Sequence, residues 1–276
     1  MQSLTVAFAC LAVCLGLTFT DAHLWDGLKM RWDVNPFNMF FAKPTTEEDA
    51  VKENYVKISD CDVNAPWRGA RYIKGNDRSV TLLFDVNGHI AGIQAGIPKN
   101  QSDGYPTQSI RPPFISDGDN WVVTIYVTDP AKICTTGRSD AEVSAQGTGT
   151  NLYIQNSTIP EDSIKAPFNE ADIAGTKWTE GKCFIGMGKH YWFNLSLDMK
   201  QENMFPVFLL YTGGKSIGFG WAMPTNLTSS TYEHPPSNIF SLFMKEVPIF
   251  LTKVSVVSTM HVFMTNSPST IFCPLF

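Results

Sequence analysis

The chain has 276 residues, a net charge of −5, 17% charged residues and 43% hydrophobic ones. This is the composition of a globular protein with a sizeable core, not of a disordered or fibrous one. The mild acidity and scattered basic residues exclude an electrostatic footprint for nucleic acid, and no basic amphipathic helix is present to lie on a membrane surface.

Residues 1–22 open with an apolar run, Leu4 to Phe19, that has no charge before Asp21. The run is shorter than the roughly 20 apolar residues a bilayer needs, so it reads as a signal peptide and not as a transmembrane segment. Cleavage before Asp21 or before His23 fits the small residues around it. Beyond it lie Cys61, Cys134, Cys183 and Cys273, an even count that in a secreted chain favours disulfides, with three possible pairings. Sequons at Asn100, Asn156, Asn194 and Asn226 fit the same extracellular compartment.

In chain order, Trp25, Leu28, Met30 and Trp32 recur near period two and predict a strand with its tryptophans inward. Thr45-x-x-Glu48 predicts a short capped helix over 46–54. Ser79 to Val86 and His89 to Ile97 predict a hairpin around Asn87-Gly88, closed by a two-residue turn. The proline-bearing stretch 98–118 reads as an ordered loop, and Asn120 to Thr128 as a strand. Residues 138–150 read as a polar loop; their Gly147-x-Gly149 lacks the rest of a phosphate-binding signature.

The stretch Trp178 to Asn194 concentrates aromatics, Cys183, His190 and three glycines, and predicts an aromatic strand from Lys189 onward. A second hairpin follows around Gly213-Gly214, with Phe219 and Trp221 on one face. Ser237 then caps a helix predicted over 238–247. Residues 249–276 are apolar and rich in Ser and Thr. A reading as two strands, Phe250 to Val257 and Met260 to Thr265, competes with a non-native tail that would remove Cys273 from the count.

The order of elements predicts a mainly β protein: an antiparallel β-sandwich or open barrel with one to three short peripheral helices, forming a single domain over 23–248. No nucleophile elbow, His-Glu-x-x-His or cysteine-protease signature occurs. Asp117-Gly118-Asp119 falls short of a calcium loop.

Two functional classes compete. One is a secreted, cofactor-free binding or matrix glycoprotein with an aromatic-lined β cavity, where Tyr191, Trp192, Phe219 and Trp221 would meet a small apolar or carbohydrate ligand and Cys61, Cys134 and Cys183 would stiffen the loops. The other is a secreted copper-dependent oxidase or monooxygenase. Cleavage after Ala22 would expose His23, whose α-amine and ring nitrogen can chelate copper, with His190 as the partner imidazole and Tyr191 or another aromatic beneath. That arrangement resembles the histidine brace of copper polysaccharide monooxygenases, over this one residue. His190 otherwise reads as a satisfied core histidine, and His89 and His234 are the substitutes.

Overall fold

The structure, a computed structural model, describes residues 25–33 and 35–273. The apolar run Leu4 to Phe19 and His23 lie outside the described residues. Among the described residues, fifteen strands form two antiparallel sheets. The strands are β1 (Lys29–Met30), β2 (Phe41–Ala42), β3 (Tyr55–Ser59), β4 (Ala70–Lys74), β5 (Asp77–Phe84), β6 (Ile90–Pro98), β7 (Ile115–Asp117) and β8 (Asn120–Tyr126). They continue as β9 (Tyr153–Gln155), β10 (Ser163–Lys165), β11 (Trp178–Phe184), β12 (Gly188–Phe193), β13 (Val207–Thr212), β14 (Lys215–Met223) and β15 (Ser258–Phe263). One sheet runs β10-β9-β8-β6-β5-β4-β3 with β7 beside β8; the other runs β11-β12-β13-β14-β15-β1-β2.

Alternation along each strand puts one apolar set between the sheets, as a sandwich requires. Leu82, Phe84, Ile93 and Ile125 of one sheet meet Leu209, Phe219, Trp221 and Val262 of the other, all fully buried. A second apolar cluster lies on the outer face of the seven-stranded sheet, where Trp192, Phe208, Leu210 and Phe263 are covered by the short 3-10 segments Ser237–Leu242 and Ile249–Thr252. Cys61 bonds to Cys134 and Cys183 to Cys273. The residues after Pro248 thus supply both a cysteine partner and β15, which sits between β14 and β1.

Several local expectations change. The first hairpin closes through three residues, not two. Gly88 N–H bonds to Asp85 O and Asp85 N–H to His89 O, both at 2.9 Å, and only Gly88, at φ 81°, is left-handed. The second hairpin has the predicted two-residue turn, with Gly213 and Gly214 both at positive φ between the paired Thr212 and Lys215. Helix α1 (Glu47–Lys52) is capped by Thr46, one residue later than expected, through Asp49 N–H.

Residues 138–150, expected as a loop, contain the helix α2 (Asp140–Gln146), held by a reciprocal capping box between Ser139 and Glu142. The expected helix over 238–247 is only a 3-10 segment ending at Leu242. Its continuation fails because Phe243 O is taken by Lys182 N–H at 2.9 Å and by the Trp192 indole N–H at 3.2 Å.

Candidate functional site

The second apolar cluster encloses a cavity of about 310 Å³. Met187, Trp192, Met204, Phe240, Phe243 and Met244 form its apolar walls, and Arg31, Asp33 and His234 a polar side. His190 and His261 close it, with Glu233 behind them.

The sheet register explains how two histidines 71 residues apart meet. Trp192 pairs with Phe208, Phe208 with Gly220, and Gly220 with His261, so these four positions form one row across β12, β13, β14 and β15. His190 stands two residues before Trp192 on the same face. Four neighbouring strands span roughly 14 Å, a distance two imidazoles close only by leaning toward each other.

Gly220 makes room for the floor beneath them. A Cβ there would lie 2.1 Å from Phe208 Cζ, so the absence of a side chain lets the Phe208 ring lie over β14. That ring sits 5.4 Å from the His190 ring and 5.1 Å from the His261 ring, centre to centre. The two imidazoles stand edge to face, with their Nε2 atoms 3.4 Å apart.

Each imidazole is held from behind. His190 Nδ1 is 3.2 Å from Lys182 O, and His261 Nδ1 is 2.7 Å from Glu233 Oε2. Strand β1 is only two residues long, which leaves the edge of β15 beyond it free. Glu233 takes that edge, exchanging backbone hydrogen bonds with Thr259 at 2.8 and 2.9 Å. Its carboxylate accepts from Trp32 N–H at 2.7 Å, His261 N–H at 3.2 Å and the Thr259 hydroxyl at 3.0 Å.

Burial opposes the charge on Glu233, but the His261 imidazole and these hydrogen bonds outweigh it and hold the carboxyl below its ordinary value. Burial, reinforced by the neighbouring His261, drives His190 down to about 3, so its imidazole is neutral.

Of the candidate site residues singled out in the sequence, Trp192, His190 and His234 reach this cavity. Tyr191 points the other way, into the space between the sheets, where its hydroxyl donates to Glu170 Oε1 at 2.7 Å. It therefore cannot lie beneath an ion held by His190. Phe219 and Trp221 are wholly buried between the sheets and cannot line an open cavity, because β14 presents them on the face opposite Gly220. His89 faces Asp140 Oδ1 at 3.1 Å, far along the chain from the site. His234 lines the cavity but turns its Nε2 to Leu227 O at 3.0 Å.

Asn100, Asn194 and Asn226 are exposed and Asn156 is half-buried. Sequence reasoning missed His261 and Glu233. Period-two alternation through Ser258–Phe263 puts His261 opposite Met260 and Val262, and that was the available signal.

Among the described residues no group of three or more His, Cys, Asp or Glu side chains is arranged to hold a metal ion, and no helix is long and apolar enough to cross a membrane. Compared with protein-family models, curated proteins and solved structures, the chain has no significant match.

Proposed function

We propose that the protein is a secreted, disulfide-stapled binding glycoprotein whose outer-face cavity takes a small apolar ligand. The observation that carries this reading is the cavity itself, of about 310 Å³ and walled by aromatics and methionines. Ligand pockets of roughly 300–1,000 Å³ are typically apolar with a few convergent polar groups, a role that Arg31, His190 and His261 fill here. Thioether side chains suit such a wall because they adapt their shape to the guest. Two disulfides and exposed sequons fit export and glycosylation.

Titration of the intact protein with 1-anilinonaphthalene-8-sulfonate, followed by displacement with medium-chain fatty alcohols, tests it. One saturable site is expected, with the tryptophan emission changing because Trp192 lines the cavity. Ile239, half-buried at the same wall, offers a filling substitution: Ile239→Trp should weaken binding by roughly tenfold or more, the effect of losing about 1.4 kcal/mol. Non-saturable binding in the folded protein overturns the reading.

A further inference from the structure

The two imidazoles at the floor of the cavity pose a problem of hydrogen-bond accounting. Lys182 O can only accept, so His190 Nδ1 carries a proton and its Nε2 is a lone pair. The Glu233 carboxylate likewise fixes a proton on His261 Nδ1. Were the His261 Nε2 also without a proton, two buried lone pairs would face each other at 3.4 Å with nothing to accept from. Such an arrangement costs free energy unless a positive centre, a proton or a metal ion, sits at the junction.

We propose that His190 and His261 bind one monovalent copper ion through their two Nε2 atoms, above the Phe208 ring, with Glu233 as the outer carboxylate. This inference stands apart from the apolar-ligand reading, since either site can exist without the other.

Three observations converge on it. Metal-ligating histidines donate their other ring N–H to a backbone carbonyl or a carboxylate, and this pair has one of each. At an imidazole–metal bond of roughly 2.0–2.1 Å, nitrogens 3.4 Å apart subtend an angle of about 110°, which leaves the cavity side open for further ligands.

Charge and softness select the ion. Glu233 is the one carboxylate bonded to the pair, so a monocation gives a neutral buried unit where a dication leaves an uncompensated charge. The described cysteines are all in disulfides and offer no thiolate. Met187, Met204 and Met244 line the same cavity, and imidazole with thioether surroundings suits Cu(I).

The test is an anaerobic Cu(I) titration of the chelator-treated full chain against a colorimetric Cu(I) chelator, with Zn(II) titrated in parallel. One equivalent of Cu(I) is expected, with X-ray absorption showing two imidazole nitrogens. His190→Ala and His261→Ala should each lose more affinity than the roughly 10–100-fold expected for Glu233→Gln. Absence of stoichiometric binding, retention of it by the double alanine variant, or a preference for Zn(II) overturns the proposal.

Should the variants fail to fold, nitrogen NMR of the wild-type imidazoles decides. Both Nε2 resonances should shift on adding Cu(I), whereas a proton fixed between the rings and indifferent to copper overturns the assignment. Binding of the apolar dye by copper-free protein leaves the cavity reading intact in either case.

Discussion

Asp85 shows how a single side chain sets the shape of a turn. Its Oδ1 accepts from the N–H groups of both Asn87 and His89 at 3.0 Å, and its Oδ2 accepts from Arg138 N–H at 2.8 Å. The extra loop residue this accommodates is why Asn87-Gly88, legible as a hairpin, was not legible as a three-residue one: the deciding contact to Arg138 spans 53 residues. Gly88 alone carries positive φ in this loop, so Gly88→Val should cost about 1–3 kcal/mol by forcing a β-branched residue into the left-handed region. A melting temperature unchanged from wild type would contradict this.

The candidate site divides in the same way. Trp192 and His190 stand in a conspicuous aromatic run, but Glu233 and His261 become partners only through a strand register that no local pattern encodes.

At the scale of elements, the outer face of β12 to β15 depends on a glycine in the middle of a strand, where a side chain would ordinarily help packing. A methyl group at position 220 would meet Phe208 Cζ at 2.1 Å and Met260 O at 2.6 Å, one of them rigid backbone. Gly220→Ala should therefore destabilise the protein by about 1–3 kcal/mol, the usual cost of overpacking. It should also disturb the His190 environment, read as a shift of its ring signals in NMR. Unaltered ring signals would show that Phe208 does not position the imidazoles.

The long strands of both hairpins, together with β8 and β12, were readable from alternation and turn residues, whereas β7, inside the stretch read as a loop, the short strands β2 to β4 and the helix extents were not. Residues 140–146 bury no side chain, so no apolar stripe marks them and only the Ser139/Glu142 cap betrays the helix. Residues 238–247 have the stripe but surrender the Phe243 carbonyl to β11 and β12.

At the scale of the whole molecule, the sandwich is held by aromatic burial that includes tyrosine. Every one of the eight tyrosines has its phenol pushed above the ordinary 10.0, with burial the leading cause. Tyr55 and Tyr191 reach about 12, the latter also through Glu170. The fold therefore favours the protonated phenol. The resulting stability is present in full below pH 10 and is lost as pH rises through 10 toward 12, because the unfolded chain gives up its protons first. Tyrosinate absorbance followed together with near-ultraviolet circular dichroism should show ionisation and loss of tertiary structure rising in step. Smooth titration near pH 10 with the tertiary signal retained would refute it.

The order of strands also sets a timetable for the chain as it is made. Strands β3 to β10, residues 55–165, are contiguous in sequence and can assemble one sheet while the ribosome is still adding the rest. The other sheet is different: β1, at residues 29–30, joins it by pairing with β15, at residues 258–263. Trp25, Leu28 and Met30, all buried in the finished protein, must wait for β15 through most of elongation, with only β2 at hand to pair early. A segment made before either sheet is thus among the last to be enclosed, and its three apolar side chains need shielding in the interval.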